Sequence, residues 1–90
     1  MFKVFYTKEA KTAIDKLPAK KKHQIRDAVE RLAENPETGK HLTGELKGLL
    51  SYRSGDYRII YRIQHKEIIV VILTVGHRKD IYQRAGRKIY

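Results

Sequence analysis

Ninety residues bound this chain to one domain with a modest core, because a chain of this size buries only about 60 to 65% of its unfolded surface. Twenty Lys and Arg against ten Asp and Glu give a formal net charge of +10, the footprint of a polyanion binder, and leave RNA, DNA, a phosphate-rich particle or an acidic protein as partners. Cysteine is absent, which excludes a disulfide framework, a thiolate nucleophile and a Cys-based zinc site.

The chain opens on Phe2 to Tyr6, an aromatic and β-branched run that reads as a strand and ends at Thr7, a favourable helix N-cap. Ala10, Ala13, Ile14 and Leu17 then follow the spacing of one apolar helix face. Pro18 suits the first turn of a second helix, which Ile25, Ala28, Val29, Leu32 and Ala33 carry to the stop at Asn35-Pro36. The pair is an αα-hairpin for packing. Its polar face sets Lys20, Lys21, Lys22, Arg26 and Arg31 among Asp27, Glu30 and Glu34, and reads as a solvated surface.

From Glu37 to Gly48 turn residues predominate, and Leu42, Leu46 and Leu49 are the anchors that tie this loop to the core. Leu49 to Arg53 and Tyr57 to Gln64 read as strands joined at Ser54-Gly55-Asp56, and His65-Lys66 turns the chain into Glu67 to Val75. That last strand is apolar on both faces, so it belongs at the sheet's centre beside the first strand. The expected fold is α+β in the order β-α-α-β-β-β: an N-terminal helical hairpin packed on a small, mainly antiparallel four-stranded sheet, ending in a short C-terminal helix or tail. The N-terminal run is too short for a signal peptide, and Ile68 to Val75 is too short to span a bilayer. A cytoplasmic location and no membrane partner are expected.

Period two divides the Tyr57 to Gln64 strand into a core set, Tyr57, Ile59, Tyr61 and Ile63, and a second set, Arg58, Ile60, Arg62 and Gln64. The second face is expected to expose two arginines beside one apolar residue. Gly76 is expected to end the central strand, and His77 to Gln83 to set Arg78 and Tyr82 four positions apart on one side of a turn or short helix. The tail from Arg84 to Tyr90 adds three basic residues and no acidic one. Converging arginines can hold phosphate oxygens through paired hydrogen bonds, and a tyrosine ring can stack on a base. The four histidines are far apart in sequence and no acidic cluster accompanies them, so no metal site and no cofactor are expected.

The Leu-x-Gly-x-Leu-x-Gly segment at Leu42 to Gly48, then Arg-Ser-Gly-Asp-Tyr-Arg-Ile-Ile-Tyr and Val-Gly-His-Arg-Lys-Asp-Ile-Tyr, resembles the RelE branch of the RelE/ParE toxin superfamily over nearly the whole chain. The resemblance implies a single toxin domain over residues 1–90. It implies a metal-independent endoribonuclease that cuts messenger RNA in the ribosomal A site by attack of a 2′-hydroxyl on the adjacent phosphate. Partners implied are a cognate RelB-like antitoxin, the ribosome with its messenger, and operator DNA through the antitoxin. Carried over by position, Arg58 corresponds to the strand arginine that stabilises the phosphate being cleaved, Arg78 to a second essential arginine, and Tyr82 to the tyrosine that stacks on or orients a nucleotide. Arg53, Arg62, Lys79 and Arg84 are expected to contact RNA. Leu49 and Ser51 stand where characterised RelE enzymes carry proton-transferring lysines, which leaves His77 as the candidate for that role. A ParE-like gyrase inhibitor and a non-catalytic binding module of the same fold are the alternatives.

Overall fold

The computed structural model describes residues 1–82; the expected C-terminal tail, with Arg84, lies outside them. Strand β1 (Lys3–Tyr6) leads through Thr7 into helix α1 (Lys8–Asp15). The Thr7 hydroxyl accepts from the Ala10 amide at 3.0 Å and donates to the Leu73 carbonyl at 2.7 Å. The N-cap therefore satisfies a free helix amide and ties α1 to the central strand at once. Pro18 precedes α2 (Ala19–Glu34), whose buried face is the expected set Ile25, Ala28, Val29, Leu32 and Ala33.

The sheet has five strands in the order β1-β5-β4-β3-β2, with β3 Leu50–Ser54, β4 Tyr57–Gln64 and β5 Ile69–His77. The β1–β5 pair is parallel and the others are antiparallel, with the most apolar strand inside as expected. The strand missing from the sequence reading is β2, Lys40–His41, which pairs with Leu50 and Ser51. Two residues are too few for a period to register.

Both helices cover one face of the sheet, where Ile59, Tyr61, Val70, Ile72 and Val75 meet Ala10 and the apolar face of α2. The other face departs from expectation. Ile60, placed by alternation among exposed arginines, is fully buried in a second cluster with Leu49, Val71, Leu73 and Ile81. The loop of residues 42–49 causes this: its Leu42 amide bonds the Leu49 carbonyl at 2.9 Å, and Leu42 and Leu46 close over Ile60. The loop leucines are anchors, as expected, but to a core of their own.

One irregularity decides which residues share a face. Ile60 pairs with Thr74 but Tyr61 pairs with Ile72, so β5 carries one residue more than β4 across this step. Val70 and Ile72 point toward the helices, and so does Val75, three positions on rather than two. Such a bulge reverses the alternation beyond it. The strand also runs on through Gly76 to His77, past its expected end.

Candidate functional site

Ladder partners directly opposite each other share a face, so the sheet surface away from the helices takes Ser51 with Ile60, Arg53 with Arg58, and Arg62 with Val71. Arg53 is exposed and its Nε donates to the Gly55 carbonyl at 3.0 Å, which fixes the guanidinium at the hairpin end. Arg58 is half-buried, and its Nη1 donates to Ser51 Oγ at 3.3 Å. Among the described residues no carboxylate pairs with Arg53, Arg58, Arg62 or Arg78. Like charges set opposite one another without a counter-ion destabilise a sheet slightly, and an incoming polyanion relieves them.

Tyr82 is brought to this surface by the turn after β5. After β5 the chain turns through residues 78–80, with the Asp80 amide bonding the His77 carbonyl at 3.0 Å, and then buries Ile81 in the second cluster. With Ile81 anchored, the Tyr82 hydroxyl and Ser51 Oγ come within hydrogen-bond distance at 3.2 Å while 37% of Tyr82 stays exposed. Ser51 thus joins Arg58 and Tyr82, although only 1% of Ser51 itself is exposed.

The bulge in β5 sorts the next two candidates. His77 stands opposite Tyr57 on the helix side, their rings meeting edge to face at 6.0 Å, and its Nδ1 accepts the Lys79 amide at 3.3 Å. It borders a cleft with Thr12 of α1 and with Lys16 and Leu17 just past that helix, across the sheet from Arg58. Arg78 follows by one residue in the turn, and its amide pairs with the Asp56 carbonyl at 3.0 Å, at the hairpin end where Arg53 and Arg58 stand. It is exposed there, as is Lys79 in the turn.

Arg62 is not gathered in. Four residues along β4 separate it from Arg58 by about 13 Å, with buried Ile60 between them. Two residues beyond the sequence candidates do come close. Ser51 marked only a missing lysine, yet it is the hydroxyl on which Arg58 and Tyr82 meet. Lys40, exposed on β2, is directly opposite Ser51 and so puts a cation on the same face. Its only sequence signal was the adjacent Gly39, whose amide donates to the Tyr61 hydroxyl at 3.0 Å.

Tyr61 braces this edge from the helix side, donating to the Pro36 carbonyl at 2.6 Å. Burial pushes its phenol up to about 12, against the opposing pull of the Gly39 amide. Glu37 sits between His41 at 2.9 Å and His65 at 3.6 Å, an exposed set that joins the β2 edge to the β4–β5 turn. Among the described residues no group of three His, Asp or Glu is arranged to hold a metal ion, and no helix is long and apolar enough to cross a membrane. An open groove of about 400 Å³ between β1, α1 and α2 has Asp15 beside Lys11, Lys22 and Arg26, so its charge is partly balanced. The β3–β4 face carries unbalanced positive charge.

A family model described as the ParE toxin of the type II toxin-antitoxin system parDE matches residues 4–82. Toxin RelG of Mycobacterium tuberculosis is 40% identical over 85 residues, covering 92% of this chain and 98% of that protein. In the crystal structure of the toxin-antitoxin complex RelBE2 from the same organism, the matching chain has a TM-score of 0.79 at 38% identity, over 86% of this chain and 98% of its own length. The archaeal RelE-RelB complex from Pyrococcus horikoshii OT3 follows at 0.70 and 26%, over 86% and 94% of the two chains. The isolated Escherichia coli RelE toxin, at 0.74 and 21% over the whole of both chains, shares the fold.

Proposed function

This chain belongs to the RelE/ParE superfamily of type II toxin-antitoxin toxins, and from that premise we propose that it is a ribosome-dependent endoribonuclease that cuts messenger RNA in the A site. The observation that carries the reading is the meeting of Arg58 and Tyr82 on Ser51, on a face whose arginines lack carboxylate partners.

In the proposed reaction the 2′-oxygen of one nucleotide loses its proton and attacks the adjacent phosphorus. The bond from phosphorus to the 5′-oxygen breaks, that oxygen takes a proton, and the products are a 2′,3′-cyclic phosphate and a 5′-hydroxyl. Because the nucleophile belongs to the substrate, the protein needs no metal-activated water. Arg58 and Arg78 stabilise the negative charge that grows on the phosphorane oxygens. Tyr82, exposed on one side and hydrogen-bonded at its tip, holds a base by stacking, a contact worth about 1 to 3 kcal/mol. Arg53, Lys40 and Lys79 draw the RNA backbone along the same surface, with Arg62 as a more distant contact. Proton transfer is not given to His77, which faces α1 and Tyr57.

Proton transfer is assigned to no side chain on this face, so the reading includes dependence on the ribosome to bend the messenger into line. A cognate RelB-like antitoxin is the proposed inhibitor, as an acidic or amphipathic segment covering the basic face, with operator DNA bound only through it. A cytoplasmic location fits a translating target. The test is a reconstituted translation system with mapped messenger ends, beside naked RNA and the Arg58→Ala variant. Cuts in the A-site codon that need both ribosomes and Arg58 are expected. Intact messenger with a folded protein would move the reading to gyrase inhibition, which the ParE description of the matching family model favours.

A further inference from the structure

Ser51 is a polar residue with 1% exposure at a place where the sheet has no structural need of one: its ladder partner Ile60 and its near neighbour Leu49 are both core residues. The hydroxyl is fully engaged. Arg58 can only donate, so Ser51 Oγ accepts from it, and the Tyr82 hydroxyl is within bonding distance on the other side. If both neighbours donate, the Ser51 proton has no acceptor among the described residues, which is costly for a buried hydroxyl. Reversing the second bond removes that cost: Ser51 donates to the phenol oxygen, and the phenol proton turns outward to the exposed side of Tyr82. The chain of donors then runs from Arg58 through Ser51 to Tyr82, each bond polarising the next.

We infer that Ser51 is a positioning residue of the cleavage reaction, whose hydroxyl holds the Arg58 guanidinium and the Tyr82 phenol in one fixed arrangement and directs the phenol proton toward the RNA. The inference rests on the proposed endoribonuclease reading. Ser51 itself is covered and touches no substrate; it acts through its two partners. It occupies the strand position where a lysine would act directly, and so replaces a charged side chain with a relay between two others.

The experiment is single-turnover cleavage of ribosome-bound messenger by wild type, Ser51→Ala, Ser51→Thr, Tyr82→Phe and the Ser51→Ala/Tyr82→Phe double variant, each checked for native circular dichroism. Ser51→Ala should slow cleavage about tenfold with an unchanged half-saturating concentration of ribosome complex, since a hydrogen bond of this size is lost in the reacting state and not in binding. Ser51→Thr, which keeps the hydroxyl, should restore most of the rate. The double variant should be no slower than the slower single, because either change breaks the same relay. Should Ser51→Ala lose its fold, Ser51→Cys supplies a similar volume with a weak hydrogen-bonding group. A folded Ser51→Ala at the wild-type rate, or a fully multiplicative double variant, overturns the role of Ser51 while leaving the endoribonuclease reading intact. Wild type that leaves messenger whole overturns both.

Discussion

Arg53 and Arg58 stand directly opposite each other across the β3–β4 hairpin, two cations on one face with no carboxylate paired to either among the described residues. Directly opposed like charges cost a sheet up to about 1 kcal/mol. Arg53→Gln should therefore unfold in urea at an equal or slightly higher midpoint, while binding of ribosome-bound messenger weakens and the slope of log affinity against log salt becomes shallower by about one. A destabilised Arg53→Gln with the wild-type salt slope would make the residue structural.

Ile60 has an arginine two positions away on each side, yet it is fully buried under the loop leucines. Ile60→Ala should cost about 2 to 5 kcal/mol in chemical denaturation, comparable with Ile59→Ala in the main core. A loss under about 0.5 kcal/mol would show that the loop does not pack on this face in solution.

Gly39 is required by close approach. A Cβ there would lie 2.2 Å from the Tyr61 hydroxyl oxygen and 3.0 Å from the Ser51 carbonyl. The nearest atoms belong to a buried ring and to backbone, so neither yields easily. Gly39→Ala should destabilise by about 1 to 3 kcal/mol and, by displacing β2 from Ser51, slow cleavage as well. Thermal unfolding and the cleavage assay check the two effects together.

Tyr61 makes stability fall in alkali. Its phenol ionises near the ordinary 10 in the unfolded chain but is pushed up to about 12 by burial in the fold. Between these values the unfolded state holds fewer protons than the native state, so unfolding becomes easier as pH rises. The contribution is whole below pH 10 and is lost on the way to 12. Tyr61→Phe should be less stable near neutrality, because it strands the Gly39 amide and the Pro36 carbonyl. Its stability should also decline less steeply through this range, and denaturation midpoints measured across it decide.

Lys40, opposite Ser51 on the edge strand, should act as a phosphate contact. Lys40→Ala should leave folding within about 0.5 kcal/mol of wild type and raise the half-saturating concentration of ribosome complex severalfold at physiological salt, and by more at low salt. Unchanged binding at both salts would remove Lys40 from the RNA path.

Much of this protein was legible in one dimension. The spacing of Ala10 to Leu17 and of Ile25 to Ala33, the cap at Thr7 and the apolar run before Val75 were enough for two helices, a meander and a central last strand. Local periodicity and capping are properties of neighbouring residues, and neighbours are what a sequence displays. The motif around Arg58 and the one around Arg78 pointed to the same family that the comparisons identify.

Side assignment beyond the bulge was not legible. Alternation along β5 is reversed by one extra residue opposite Ile60 and Tyr61, and that residue is recognisable only against its partner strand. The reversal sends His77 to the helices, against Tyr57. The second core, the two-residue strand that carries Lys40, and the meeting of Arg58 with Tyr82 on Ser51 have the same origin. Each is a contact between segments distant along the chain, fixed by how the loop of residues 42–49 and the turn after β5 close over the sheet. By itself the sequence determined the elements, the charge and the family of this toxin; the tertiary structure alone decided which side chains share a face, because facing depends on pairing between strands and not on the order of residues within one.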